Sequence, residues 1–233
     1  MNMLITLALL FSCEASTVLS PTSASEILQE KSDRISLSYK LAQVLPEPIH
    51  VKVLEQKLIR TIIQKQQTEL GEFFLFQKPW DVENVFAGFK GKPTLYDLGV
   101  VSHSTKEVSL TPVELFGKKL LEIKGLGGAK WSYHNYYDVE NGVPRIVGGF
   151  PALKLLIVGQ GKKQYAIVTN LLGVVPTVWI YKLENNQVVR ADLAEALHAQ
   201  AVQYVPERNE FRADFGQNRV KYYTLLDDTL ISK

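Results

Sequence analysis

Apolar and polar positions change pattern twice along this chain. Met3 to Phe11 is an almost unbroken apolar run. From Val53 to Leu70 the apolar residues recur at helical spacing: Leu54, Leu58 and Ile62 on one row, Val53, Ile59 and Ile63 beside it. Lys, Gln, Arg and Glu fill the other face. This periodicity predicts an amphipathic helix closed by Gly71. Glu26 to Leu45 has a looser spacing of the same kind, stopped by Pro46 and Pro48. Residues 26–71 therefore read as a helical segment.

From Phe73 onward the period shortens, and short apolar or alternating runs are separated by turn residues. Strands are predicted at Phe73–Phe76, Thr94–Val101, Glu107–Leu110, Lys119–Lys124, Tyr133–Val139, Val143–Phe150, Leu153–Val158 and Tyr165–Asn170. Others follow at Thr177–Leu183, Val188–Asp192, Gln203–Val205, Glu210–Phe215 and Val220–Leu225. Asn141-Gly142 is a strong hairpin signal, because both residue types tolerate positive φ. Two helix starts interrupt the series. Thr111-Pro112-Val113-Glu114 has the form of a capping box with proline at the first helical position, and predicts one or two turns ending near Gly117. Asp192 followed by Glu195 predicts a short helix over Leu193–Ala201. The expected fold class is α+β, mainly β: an N-terminal helical segment followed by an antiparallel β domain over residues 72–233, either a sandwich or propeller-like blades.

Composition changes this picture little. The chain has 233 residues, 46% hydrophobic and 21% charged, which suits a globular body. A net charge of +2 gives no ground for a nucleic-acid partner. The single cysteine, Cys13, excludes an intrachain disulfide framework.

Cys13 gains meaning from its position. The apolar run is too short to span a bilayer, which takes ~20 residues, and suits the core of an export signal. It ends at Leu10-Phe11-Ser12-Cys13, a small residue directly before a cysteine, which resembles a bacterial lipobox. The resemblance implies a signal peptide over residues 1–12, lipidation of Cys13 and a Ser/Thr/Ala-rich tether over residues 13–25. Phe11 is larger than the pattern prefers, and no Lys or Arg precedes the run. Plain secretion is the alternative. Either way the expected location is extracytoplasmic, with the lipid form anchored to the outer face of the cell membrane.

Gly125-Leu-Gly-Gly-Ala129, Tyr136-Tyr-Asp-Val-Glu-Asn-Gly-Val-Pro144 and Pro176-Thr-Val-Trp-Ile-Tyr-Lys-Leu-Glu-Asn185 together resemble secreted proteins of Gram-positive bacteria with FG-GAP or VCBS-type repeats. The resemblance covers about the last half of the chain and implies blade-like strand pairs. The family's acidic calcium loop corresponds to Val158-Gly-Gln-Gly-Lys-Lys-Gln-Tyr165, where two lysines stand and no aspartate remains. Calcium takes several oxygen ligands, mostly carboxylates, so metal binding is not carried over.

Candidate chemistry concentrates at Trp131, Tyr133, His134, Tyr137 and Asp138. Residues 131, 133 and 137 share strand parity. An exposed face of this kind would stack sugar rings, with Asn135 or Asp138 bonding hydroxyls; the alternative is that the aromatics build a sheet core. His50, His103, His134 and His198 show no metal-ligand spacing. His103 lies between Ser102 and Ser104, but neighbours in sequence do not make a triad, and no nucleophile elbow surrounds either serine. A polar loop is the plainer reading. The glycines at 125, 127 and 128 lack phosphate-loop spacing, and no cofactor motif is present. Glu122, Asp138, Glu140 and Asp192 are the carboxylates to watch for pairing.

These observations favour a non-enzymatic, lipid-anchored surface protein that binds a cell-wall glycan or an envelope protein. A cell-envelope hydrolase with scattered active residues is the second reading. An accessory subunit docking through the Val53–Leu70 helix is the third.

Overall fold

The structure is a computed structural model that describes residues 33–42, 51–128, 131–172 and 174–233. The expected export signal and tether, with Cys13, lie outside the described residues, as does half of the segment 26–45. The described residues lie in one compact unit.

The unit is mainly β, and every strand pairing is antiparallel. Three short strands come first: β1 (Arg34–Ser36), β2 (Lys40–Leu41) and β3 (Lys52–Val53). Four meanders follow, each adding its strands in chain order. The first sheet holds β4 (Thr61–Thr68), β5 (Gly71–Lys78), β6 (Asp81–Lys90) and β7 (Leu95–Ser102). The second holds β8 (Ser109–Leu115), β9 (Lys118–Leu126), β10 (Ser132–Glu140) and β11 (Val143–Ala152). The third holds β12 (Lys154–Val158), β13 (Tyr165–Leu172), β14 (Val175–Glu184) and β15 (Gln187–Asp192). The helix α1 (Leu193–Leu197) leads to the fourth: β16 (Ala201–Val205), β17 (Glu210–Asp214), β18 (Val220–Leu226) and β19 (Thr229–Ser232). A four-stranded meander is the unit from which propeller blades are built.

The sheets stack in chain order, and the period of 2 explains how. On β10, Tyr137 enters a core shared with the first sheet, beside Phe73, Leu75 and Leu98. Its neighbour Tyr136 enters a core shared with the third sheet, beside Phe150, Val168 and Tyr181. On the third sheet, Val168 faces back into that core, while Ile167, Val178 and Ile180 face Phe211, Tyr223 and Leu230 of the fourth. Strands buried on both faces carry continuous apolar runs. Among the described residues no hydrophobic cluster joins the first sheet to the fourth, so the stack is open. Its two ends differ. The outer face of the first sheet carries Phe74, Phe76 and Phe86, covered by Leu54, Leu58 and Ile59. The outer face of the fourth is polar, with Arg212 and Asp214 paired on it and a buried Glu210 held by Arg208 and Lys233.

The predicted helix over Val53–Leu70 does not form. Its residues make β3, a 3-10 turn at Gln56–Leu58 and β4. The tertiary partner decides this, because Phe73–Phe76 offers a ladder to β4 across the turn at Glu69-Leu70. Leu54, Leu58 and Ile59 are needed over the phenylalanines rather than on a helix face. A bulge between Ile62 and Gln64 adds one residue to β4 and breaks its alternation. Gly71 opens β5 at φ +134 and is no helix cap; a Cβ there would lie 2.6 Å from the Phe89 ring.

Thr111-Pro112-Val113-Glu114 is likewise strand. β8 is an edge strand, where a missing proline N–H costs no ladder bond. The turn after it uses positive φ at Phe116 and Gly117. Asp192 does cap α1, accepting from the amides of Ala194 (2.9 Å) and Glu195 (3.3 Å), but the helix ends at His198 in the left-handed region. Asn141 and Gly142 both have positive φ, +53 and +78, as the hairpin signal requires.

The N-terminal strands lace the outer edges of three sheets. β1 pairs with β19, β2 with β15 and β3 with β7. Between them Leu37 is buried in the core of the third and fourth sheets, and Ala42 in that of the second and third. The second and third sheets are joined more directly. Only Leu153 separates β11 from β12, and its amide donates to the Thr169 carbonyl at 3.0 Å, so the chain changes sheets within one residue.

Two glycines make a paired test of the stacking. A Cβ on Gly125 would lie 1.9 Å from the Val101 carbonyl oxygen, whereas one on Gly142 would meet nothing within 4 Å. Gly125→Ala is expected to destabilise the protein by about 2–3 kcal/mol or more, because backbone must move. Gly142→Ala should cost about 1 kcal/mol, for its positive φ alone. Urea unfolding midpoints of the two variants check the difference.

Candidate functional site

Strand β10 and the turn before it hold all five residues of the aromatic cluster, and the pleat divides them. Tyr133, Asn135 and Tyr137 pair with Gly125, Ile123 and Leu121 of β9 and face the first sheet. His134 and Tyr136 pair with Lys124 and Glu122 and face the third. Tyr137 is fully buried, and burial pushes its hydroxyl well above the ordinary tyrosine range. It is a core residue and offers no surface to a sugar ring. Asp138 sits at the far end of the strand, 3.7 Å from Arg145, which also pairs with Glu140 at 2.5 Å.

Trp131 and Tyr133 stay together, half-buried at the start of the strand. Their rings meet edge-on, with centroids 4.5 Å apart and planes at 71°. They pack against the Gly127-Gly128 backbone: a Cβ on Gly127 would lie 2.7 Å from both rings, and one on Gly128 2.7 Å from the Trp131 indole nitrogen. The Gly127 amide donates to the Trp131 carbonyl at 3.1 Å and closes the turn. Two adjacent glycines therefore permit the indole to lie against main chain. The pair needs no positive φ there, only the missing side chains.

The end of β7 lies against this corner. The Leu126 amide donates to Ser102 Oγ at 3.0 Å, and the His103 amide donates to the Leu126 carbonyl at 3.1 Å. Ser102 is buried and its hydroxyl is occupied, donating to the Ser104 carbonyl at 2.8 Å. The Ser104 Oγ accepts from the Lys106 amide at 3.2 Å. Neither serine is placed as a nucleophile. His103 is exposed, and its Nδ1 lies 2.5 Å from Asn84 Oδ1. Asn84 in turn donates to Asp81, from Nδ2 to Oδ2 at 2.8 Å and from its backbone amide to Oδ1 at 3.1 Å. Those two bonds hold the Asp81 carboxyl below the usual aspartate range. The register explains the meeting: Val85 pairs with Ser102, so Asn84 and His103 come next across the same ladder. In sequence they are 19 residues apart, so the spacing of residues carries no sign of the contact.

Two other polar clusters lie between sheets. Glu122 Oε1 accepts from Tyr136 Oη at 2.6 Å and lies 2.9 Å from His134 Nδ1. Burial pushes the Glu122 carboxyl up, but the hydrogen bonds from His134 and Tyr136 outweigh it and hold the group below the ordinary range. Asp228, at the tip of the β18–β19 hairpin, accepts from Tyr39 (2.8 Å), Tyr165 (3.2 Å) and Lys182 (2.6 Å). Lys182 also sits 4.0 Å over the Tyr39 ring. Burial, with Asp228 next to it, pushes the Tyr165 hydroxyl up to about 12. This cluster borders a groove of about 500 Å³ lined by Lys162, Lys163, Tyr165, Lys182 and Asp228.

Asp192 accepts the Trp179 indole N–H at 2.8 Å besides capping α1. Each carboxylate singled out in the sequence thus has a partner within the chain. Among the described residues no three His, Cys, Asp or Glu side chains converge as metal ligands. In the stretch matching the calcium loop, Gly161–Lys163 forms a 3-10 turn. Gln164 behind it accepts the Phe116 amide at 2.5 Å, tying the third sheet to the second.

Comparison with known proteins finds no family model, no curated protein and no solved structure that matches this chain.

The Glu122 cluster sets an acid limb of stability. A carboxylate whose folded pKa is lowered contributes stability that is present above its unfolded value, here about 4.5, and is lost as pH falls through the folded pKa. Stability should therefore decline from about pH 4.5 downward. In Glu122→Gln the decline should be shallower, with a loss of about 1–2 kcal/mol at pH 7 from the weakened hydrogen bonds. Urea titrations at pH 3 to 7 on both proteins measure the two slopes.

Proposed function

We propose that this chain is exported, is held at the outer face of the cell membrane by a lipid on Cys13, and acts as a binding module rather than an enzyme. The observation that carries the binding reading is the Trp131–Tyr133 pair: two aromatic rings fixed against glycine backbone and half-open to solvent. Apolar rings with a rigid seat lose little conformational freedom on contact, which favours their use in recognition. Glu122, Asp138, Glu140 and Asp192 support the same reading, since each is engaged by a donor of the chain itself. The favoured partner is a cell-wall glycan, whose sugar C–H faces stack on aromatic rings.

The anchoring part rests on the apolar run that ends at Ser12-Cys13. Kinship with the FG-GAP and VCBS-type repeats belongs to the proposal as well, supported by four-stranded meanders in chain order. The accessory-subunit reading loses its carrier, because the segment meant to dock as a helix is β4 and its neighbours.

Two measurements test the proposal. Intact mass of the protein from its native membrane fraction is expected to match a chain beginning at Cys13 plus a diacylglycerol unit, with Cys13→Ala lost from the membrane; an unlipidated full-length chain in the cytosol overturns the anchoring. Co-sedimentation with purified cell-wall sacculi is expected to weaken about tenfold in Trp131→Ala, on the scale of one aromatic contact. Equal sedimentation of both proteins overturns the assignment of the contact.

A further inference from the structure

A cavity of about 350 Å³ opens between the segment joining β1 to β2 and the helix α1, and every residue lining it except Ala196 is polar. We propose that it binds the carboxylate of a small hydroxylated acid, a sugar acid by class, with Arg190 as the ion-pairing residue and the hydroxyls of Ser36 and Ser38 beside it. The proposal stands apart from the reading of the Trp131–Tyr133 pair and does not depend on it.

Alternation builds one wall. Leu37 and Tyr39 turn into the core of the third and fourth sheets, so Ser36, Ser38 and Lys40 turn outward and line the cavity. Register builds the facing wall. Lys40 pairs with Arg190, which sets two cations directly opposite each other on one face of the β2–β15 ladder. Like charges so placed are unfavourable unless anions compensate them. Lys40 has its anion, Glu195, whose Oε1 lies 2.5 Å from Nζ. Asp192, also in the lining, is engaged elsewhere: Oδ1 accepts the amides of Ala194 and Glu195, and Oδ2 accepts the Trp179 indole N–H at 2.8 Å.

Arg190 is left over. Among the described residues no carboxylate pairs with it. Its guanidinium carbon lies over the Trp179 ring, 5.0 Å from the centroid. Stacking holds the group in place, and its N–H donors, which lie in its own plane, stay available to the sides. One side meets Tyr181: burial pushes that hydroxyl up, and the hydrogen bond from Arg190 draws it partly back. A guanidinium offers many more donors than one phenol oxygen takes up, and Arg190 lines the cavity.

Charge then sets the ligand class. With Lys40 matched by Glu195 and Asp192 held by backbone and indole donors, the charge of Arg190 stands uncompensated. That suits a monoanion better than a phosphate monoester, whose charge approaches about −2. The planar fork of an arginine matches the two oxygens of a carboxylate. The Ser36 and Ser38 hydroxyls bond nothing else among the described residues, and with His198 they suit hydroxyl groups on the same ligand. Small-molecule sites run from ~300 Å³ upward, so a cavity of about 350 Å³ is on the scale of one sugar unit.

The experiment titrates the full chain with D-glucuronate and follows the Trp179 indole N–H by NMR, its signal assigned by its absence in Trp179→Phe. D-glucose and dimethyl phosphate are the comparison probes. Glucuronate is expected to move the signal, because this indole lies under Arg190 and bonds Asp192, and glucose is expected to leave it in place. Arg190→Gln should weaken glucuronate binding about 10–100-fold, the scale of a hydrogen bond to a charged group, and Ser38→Ala about 2–10-fold. Ser38 is exposed, so its variant reports on binding even where Arg190→Gln disturbs packing on Trp179. Equal responses to glucose and glucuronate overturn the carboxylate contact. A response to dimethyl phosphate without one to glucuronate overturns the ligand class. A Trp179 signal that no probe moves, or an affinity unchanged in both variants, overturns the site.

Discussion

Burial of both faces of the second and third sheets is the constraint from which the rest of the architecture follows. A meander with one wet face alternates, and its partner needs to cover only one side. Here Tyr136 and Tyr137 are neighbours in sequence and lie in different cores. So do Ile167 and Val168. Each inner sheet must therefore find two partners, and the stack grows until an end is covered or made polar. The phenylalanines of the first sheet are covered by Leu54, Leu58 and Ile59. The fourth sheet ends in ion pairs and in a buried Glu210 matched by two cations. Contacts this intimate leave no room for a side chain at Gly125, where the first two sheets cross.

The N-terminal strap solves a second problem created by stacking open sheets. Every sheet has exposed edges, which invite pairing with other chains. β1, β2 and β3 occupy the last-strand edges of the fourth, third and first sheets in turn. The strap is pinned by side chains as well as by ladders, since Tyr39 bonds Asp228 and stacks under Lys182 while Leu37 fills the adjoining core. The segment from Asp33 to Ala42 thus becomes part of the folded body.

The aromatic corner sits where two such demands meet. The end of β7 must cross β9 closely, so Ser102 and His103 spend hydrogen bonds on Leu126. The turn that follows must be glycine for Trp131 to lie on it. The His103 ring itself turns to Asn84, on the face of the first sheet away from this corner. None of these side chains is required to fill a core, which distinguishes them from Tyr137 and from the Glu122–His134–Tyr136 cluster between the second and third sheets.

The β character, the Asn141-Gly142 hairpin and the Asp192 cap were legible in the chain itself, because alternation, positive-φ turns and caps are local effects with local signatures. The segment 53–70 misled, because its helical spacing came from a 3-10 turn and a bulge; the deciding force was the ladder offered by Phe73–Phe76. Pro112 misled for a related reason: only its place on a sheet edge makes it tolerable in a strand. Strand parity correctly put 131, 133 and 137 on one side, yet parity does not say what that side faces. The first sheet covers Tyr137 and stops short of Trp131 and Tyr133. The meeting of Asp81, Asn84 and His103 across a ladder was decided only by tertiary pairing, because hydrogen-bonded neighbours in a sheet carry no mark of one another in sequence.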